Sequence, residues 1–159
     1  MKTFVINASV CGKEGSIDTP ESLPRFDPTS ALADCKDDDL PSVSIVTPAH
    51  ANHHAFFLTL MSFQGQNYPQ HKIEWIIVDD SSEGQDVQGL LPADEKRIRY
   101  LKCSVRDGSR LSLGKKLNIG CKNAANDYIV FFFENMFYHP DSLKTRVLSL
   151  QKNGSQYEF

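Results

Sequence analysis

The stretch that most constrains the fold lies at residues 128–141. Its first six residues, Tyr-Ile-Val-Phe-Phe-Phe, are all aromatic or β-branched, a composition typical of a strand buried on both faces. The stretch turns polar at Glu134, and Pro140 and Asp141 then open a helical pattern. The sequence therefore predicts a central strand followed by a carboxylate, at the place where open α/β sheets bind their ligands.

Three earlier segments also have the character of strands, at residues 43–48, 73–78 and 98–103. They are rich in valine and isoleucine and are bounded by turn residues. Apolar residues at helical spacing predict helices at 56–63, 113–125 and 143–150, with a short helix at 87–91. This alternation predicts an α/β fold of Rossmann type, with a mostly parallel sheet and helices on both faces.

Polar clusters follow three of the predicted strands. They are Pro48 to His50, Asp79 with Asp80, and Glu134 with Asn135. Right-handed crossovers bring the carboxyl ends of parallel strands to one edge of the sheet. We therefore expect these clusters to meet in one binding site.

The distribution of charge divides the chain. The whole chain has a net charge of −3, which provides no footprint for nucleic acid or an anionic membrane. Residues 1–41 contain eight acidic and four basic residues, whereas residues 42–159 contain twelve acidic and thirteen basic residues. The acidity is therefore concentrated in the first 41 residues. We predict a flexible acidic leader at 1–41 with a short docked strand at 4–6, a globular domain at 42–152 and a tail at 153–159.

Cysteine usage and hydropathy indicate a cytoplasmic protein. The four cysteines are widely spaced and form no Cys-x-x-Cys motif, so they predict free thiols in a reducing compartment. The apolar run at the start is too short for a signal peptide, and no run reaches the length of a membrane span.

Five motifs in a fixed order carry a family resemblance. They are Val-Ser-Ile-Val-Thr-Pro at 43–48, Gln-Asn-Tyr-Pro at 66–69, Trp-Ile-Ile-Val-Asp-Asp-Ser-Ser at 75–82, Gly-Lys-Lys-Leu-Asn-Ile-Gly at 114–120 and Tyr-His-Pro-Asp-Ser-Leu at 138–143. From about residue 43 to 150 the chain resembles the nucleotide-sugar half of the large second family of inverting glycosyltransferases. The resemblance implies a GT-A-type fold.

The resemblance also implies a site for a nucleotide-diphosphate sugar, with a UDP-sugar favoured. Asp79 or Asp80 would accept a hydrogen bond from the base, and His50, which follows Pro48, would stack on it. Lys116 would lie near the diphosphate. Structural alternatives stay open, since the aspartates also suit a turn and helix cap and Lys116 also suits a solvated helix surface.

The metal-binding element of that family is weakened here. Aligned through Pro140, the position of the family's Asp-x-Asp reads Phe-Glu-Asn-Met at 133–136. A Mg²⁺ or Mn²⁺ ion would have Glu134 and Asn135 as ligands, and Asn135 contributes no charge. The alternative is that Glu134 only caps or solvates the loop.

Family members continue well beyond the last predicted helix, so the resemblance implies a fold truncated after the fourth strand and the helix that follows it. The chain would be a truncated product, one half of a split enzyme completed by a partner chain, or a binding remnant. The first hypothesis for function is glycosyl transfer from a nucleotide sugar to an unknown acceptor, with inversion. The alternative is a non-catalytic nucleotide-sugar-binding or interaction module.

Overall fold

The computed structural model describes residues 3–5, 28–104 and 109–153. These residues form a five-stranded sheet with parallel pairing throughout. The strands are β1 (Thr3–Val5), β2 (Val43–Ala49), β3 (Ile73–Asp79), β4 (Ile98–Lys102) and β5 (Tyr128–Phe131). The α-helices are α1 (Pro28–Asp34), α2 (His53–Gln64), α3 (Leu113–Asn123) and α4 (Ser142–Asn153). The predicted α/β fold of Rossmann type is confirmed.

The order of the strands in the sheet is β1-β5-β2-β3-β4. From β2 the chain adds β3 and then β4 on one side, and it crosses to the other side of β2 to form β5. The strand order therefore reverses between β2 and β5. In doubly wound sheets such a reversal opens a crevice at the carboxyl ends of the two strands, and ligands bind there.

A proline in β2 marks the point where this crevice opens. All seven residues of β2 are buried, and proline is normally excluded from central strands because it lacks a ladder donor. The carbonyl of Val46 accepts a hydrogen bond from Phe132 N–H (3.1 Å) and so faces β5. Because backbone groups alternate along a strand, Pro48 faces the same side, beyond the last β2–β5 pair of Val46 with Phe131. The N–H donor that Pro48 lacks would therefore point to a place where the chain that follows β5 has already turned away from the sheet.

Aromatic packing fills one face of the sheet. Trp75 is fully buried and stacks on Phe56 and Phe63 of α2, with ring centroids 5.6 and 4.5 Å away. Its indole N–H donates to Thr47 Oγ1 (2.8 Å). The one polar group of this large side chain therefore has a hydrogen-bond partner inside the core.

Helix α3 covers the other face at very short range. A Cβ atom on Gly120 would lie 2.2 Å from Val46 Cγ1, which is closer than any two carbon atoms can pack. Glycine therefore permits α3 to approach β2. This approach also sets how close the first turn of α3 lies to the carboxyl end of β2.

Several predicted helices and strands begin or end a few residues away from the predicted bounds, and two differences matter most. Strand β5 ends at Phe131 instead of residue 133, because Phe133 N–H donates to Tyr138 Oη (2.8 Å) and the chain turns away from the sheet. The predicted short helix at 87–91 is a 3₁₀ turn, Gln88–Leu90.

The described part of the predicted leader contains a strand, an α-helix and a 3₁₀ turn at Asp37–Asp39. Strand β1 pairs with β5 through Thr3 and Tyr128, one residue before the predicted strand at 4–6. Helix α1 contacts α4 and was not predicted, because its short sequence has no apolar periodicity; it begins at Pro28, a residue suited to a first helical position. The division at residue 41 stays a prediction, and the predicted tail at 153–159 lies outside the described residues except for Asn153, the last residue of α4. No helix of the described segments is long and apolar enough to cross a bilayer.

Candidate functional site

A cavity of about 300 Å³ lies at the carboxyl ends of β2 and β5. We call it the switch-point cavity. Its lining includes Pro48, His50, Arg110, Lys116, Glu134 and Asn135. Five of these six were singled out from the sequence, and they come from three separate segments of the chain. The crossover that reverses the strand order is what brings them together.

The carboxylate of Asp80 lies beneath the cavity and joins three segments. Its Oδ1 accepts hydrogen bonds from His50 Nδ1 (2.8 Å) and Lys116 Nζ (2.7 Å). Its Oδ2 accepts one from the backbone N–H of Leu111 (2.7 Å). Burial alone would raise the pKa of Asp80, but the hydrogen bonds from Lys116 and His50 and the Lys116 charge bring it below its ordinary value. Asp80 is therefore ionised, and its charge is neutralised within the protein.

The contact with Asp80 fixes the orientation of the His50 ring. An ionised carboxylate can only accept, so Nδ1 of His50 carries the proton in this pair. Nε2 is the ring nitrogen left for a ligand. The side chain of His50 is 19% exposed, whereas that of Asp80 is fully buried. His50 is thus the member of the pair that a ligand can reach.

Lys116 is unusual for a lysine in the first turns of a helix, because it is only 7% exposed. Its ammonium donates to the Ala49 carbonyl (3.0 Å) and to Asp80. The Asp80 charge offsets the unfavourable position of a cation near a helix N-terminus. An ammonium has three donors, so the described residues leave one for a ligand in the cavity.

Glu134 connects the ends of the two strands that flank the crevice. Its Oε2 accepts a hydrogen bond from the backbone N–H of His50 (2.8 Å). Burial raises the pKa of Glu134, and the hydrogen bond from His50 and the charge of Lys116 oppose that effect. Asn135, the next residue, is exposed at the rim.

Asp79 is enclosed by the protein. Its oxygens accept hydrogen bonds from the Ser81 backbone and hydroxyl, from Val87 N–H (3.0 Å) and from Tyr100 Oη (2.8 Å). Burial opposes ionisation, but these hydrogen bonds lower the pKa of Asp79 overall. The structure thus gives Asp79 a role in holding the loop after β3, and a nucleotide contact for it stays a prediction.

A second cavity, of about 350 Å³, lies at the carboxyl ends of β3 and β4. Its lining is rich in hydroxyl groups and includes Asp80, one of the predicted site residues, together with Ser81, Ser82, Asp86, Lys102 and Ser109. The sequence singled out one of its lining residues, Asp80, but predicted no separate cavity there, although two serines directly follow the aspartates of the third motif. A further cavity of about 400 Å³ lies at the opposite edge of the sheet, near His71 and Lys96, and none of the predicted site residues line it.

The described residues do not fit a divalent cation held by this chain's own ligands. The predicted position offers one carboxylate, Glu134, followed by the neutral amide of Asn135. No group of three or more histidine, cysteine, aspartate or glutamate side chains suited to a metal occurs in the described part of the chain. Two cations, Arg110 and Lys116, line the same cavity.

The fold is that of an α/β protein with a cavity at a topological switch point. The sequence profile described as Glycosyl transferase family 2 matches residues 44–158. The chain therefore belongs to glycosyl transferase family 2, whose fold is of the GT-A type. The resemblance noted from the motifs is confirmed.

Solved structures share this fold at low sequence identity. Mannosyltransferase PcManGT from Pyrobaculum calidifontis, solved with GDP-Man and Mn²⁺, is 18% identical with a TM-score of 0.61, covering 77% of this chain and 37% of that one. S. aureus TarS 1-349 is 19% identical with a TM-score of 0.58, covering 70% of this chain and 32% of that one. The same TarS fragment in complex with UDP-GlcNAc is 19% identical with a TM-score of 0.55, with coverages of 70% and 31%. The chain thus spans about a third of the length of these structures. A comparison with curated protein sequences gives no significant match.

Proposed function

We propose that this chain binds a nucleotide-diphosphate sugar at the switch-point cavity and holds it for glycosyl transfer to an acceptor. The observation that carries the proposal is the convergence of His50, Lys116 and Glu134 on one cavity, with Asp80 buried beneath it. Family membership supports it, as do relatives solved with GDP-Man and with UDP-GlcNAc. A UDP-sugar is the favoured donor. Nothing in the comparisons supports a non-catalytic module.

In this proposal His50 contacts the nucleoside directly, whereas Asp80 positions the residues around it. His50 presents a ring face and Nε2, which suits stacking on a base or donation to it. The resemblance implies that Asp79 or Asp80 accepts a hydrogen bond from the base directly. Because the side chain of Asp80 is fully buried and already accepts three hydrogen bonds, we assign Asp80 a positioning role, in which it orients His50 and Lys116.

Lys116 contributes charge at the diphosphate. Glycosyl transfer by direct displacement forms a bond from the acceptor oxygen to the anomeric carbon while the bond to the diphosphate breaks, and the proton of the acceptor hydroxyl passes to a general base. Negative charge then grows on the departing diphosphate, and a fixed cation in a partly enclosed site stabilises it. We assign these residues to donor binding and leaving-group stabilisation only, with none of them removing the proton of the acceptor.

Calorimetric titration of the whole chain with UDP and with GDP tests the proposal. We expect UDP to bind, and His50→Ala to weaken that binding by about tenfold because it removes the partly exposed ring and the hydrogen bond that the ring would make to the base. His54→Ala is the matched control, since His54 is exposed on α2. Absence of binding by both nucleotides, or equal effects of the two substitutions, would contradict the proposal.

A further inference from the structure

We propose that the switch-point cavity binds the nucleotide diphosphate through the protein's own cations and does not require a divalent metal ion. The inference rests on the function proposed above and concerns how the same site handles charge. It separates this chain from its relative PcManGT, whose structure contains GDP-Man together with Mn²⁺.

The first support is the poor set of metal ligands at the cavity. Mg²⁺ and Mn²⁺ prefer oxygen ligands and are usually held by one or two carboxylates together with phosphate and water. Glu134 is the one carboxylate among the described residues that line the cavity. The amide oxygen of Asn135 is neutral, and the thioether of Met136 does not suit a hard cation.

The second support is that Glu134 already accepts a hydrogen bond that joins the ends of two strands of the sheet. Its Oε2 accepts the backbone N–H of His50 at 2.8 Å, and this is a link between the ends of β2 and β5. Turning this oxygen toward a metal ion would leave the His50 N–H without its partner in a half-buried place, which is unfavourable. Of the two oxygens of Glu134, Oε1 is the one without a hydrogen bond to another described residue.

The third support is that two basic side chains line the same cavity. Lys116 has one donor left after its bonds to Ala49 and Asp80. Arg110 lines the cavity, is exposed, and has no hydrogen bond or ion pair with another described residue. A guanidinium binds two phosphate oxygens at once. Arg110 therefore attracts a diphosphate and repels a dication, and Lys116, whose charge is paired with Asp80, adds a hydrogen-bond donor.

Nucleotide affinity measured with and without metal tests the inference. In calorimetry with UDP, we expect the Kd to change by less than about threefold between EDTA and saturating Mn²⁺, a difference well under 1 kcal/mol. A loss of affinity of tenfold or more in EDTA would overturn the inference and leave the proposed function intact. Absence of UDP binding under both conditions would instead reject the proposed function.

Removal of one cation tests which groups replace the metal. Arg110→Ala should weaken UDP binding in EDTA by about tenfold, the scale of a charge-assisted hydrogen bond. Lys96→Ala is the control, because it removes an exposed cation at the opposite edge of the sheet. If the two substitutions have equal effects, the diphosphate does not lie against Arg110 and the inference is wrong.

A gain of metal dependence provides the sharpest test. Asn135→Asp adds a second carboxylate beside Glu134, and we expect Mn²⁺ to tighten UDP binding by this variant by about tenfold or more. Asn135→Gln keeps the position neutral and should respond as the unsubstituted chain does. An Asn135→Asp variant that remains indifferent to Mn²⁺ would show that ligand charge at this position does not set the metal requirement. Mn²⁺ binding can be followed independently by electron paramagnetic resonance of the free ion.

Discussion

Replacement of Lys116 by methionine should destabilise the fold by about 3 kcal/mol. The side chains of Lys116 and Asp80 are 9% and 0% exposed and lie 2.7 Å apart. Removing one partner of a buried ion pair costs roughly 3–5 kcal/mol, because a buried charge is left uncompensated. Asp80 would keep its hydrogen bonds from His50 and Leu111, which places the expected loss at the lower end of that range.

Urea unfolding followed by tryptophan fluorescence measures this loss. The chain has a single tryptophan, Trp75, and it is fully buried, so its emission reports on the core. The double variant Lys116→Met with Asp80→Asn should be more stable than Lys116→Met alone, because it removes the uncompensated charge. A loss below about 1 kcal/mol for the single variant, or no recovery in the double variant, would refute the ion-pair account.

The same pair predicts how stability depends on pH. The pKa of Asp80 is lowered in the folded state, and an unperturbed aspartate has a pKa of about 3.9. Its contribution is therefore fully present above that value and is lost as the pH falls through the folded-state pKa. The free-energy difference between the unsubstituted chain and Lys116→Met should narrow as the pH falls from about 6 to about 3. If the stability difference between the two chains stays constant over that pH range, Asp80 is not the ionised partner of Lys116.

Two further substitutions test the backbone that supports the site. Gly120→Ala places a Cβ 2.2 Å from Val46 Cγ1 and should cost roughly 1–3 kcal/mol in urea unfolding, whereas Gly89→Ala, which meets no atom within 4 Å, should change stability little. Ala51 has a φ of 44°, which is unfavourable for a residue with a Cβ by roughly 1–2 kcal/mol. Ala51→Gly should therefore raise the urea midpoint, and a lower midpoint would show that glycine's added freedom in the unfolded chain outweighs the relief of strain.

Much of the fold could be predicted because its strands form for one main reason, which is the burial of apolar side chains on both faces of the sheet. The apolar, β-branched runs of β2 and β3 suit only a sheet covered on both faces, and the polar residue after each strand marks its carboxyl end. Helix α1 could not be predicted, because its seven residues form through contact with α4 instead of through their own periodicity. The local sequence contains no pattern from which such a contact could be predicted.

The site was predicted at the level of which residues meet, but not of what each one does. Asp79 and Asp80 are adjacent and chemically identical, yet Asp79 holds the loop after β3 and Asp80 holds His50 and Lys116. The difference arises from the alternation of side chains at the end of a strand and from groups far along the chain. The burial of Lys116 against Asp80, 36 positions away, likewise depends on how closely α3 approaches β2.

The central claim is that the switch-point cavity binds a nucleotide diphosphate, and a titration followed by nuclear magnetic resonance tests it most directly. Amide resonances of the isotope-labelled chain are recorded as UDP is added in EDTA. We predict that the shifts concentrate at the carboxyl ends of β2 and β5 and at the start of α3, around His50, Lys116 and Glu134. Shifts concentrated instead at the opposite edge of the sheet, around Lys96, or no shifts at all, would contradict the account.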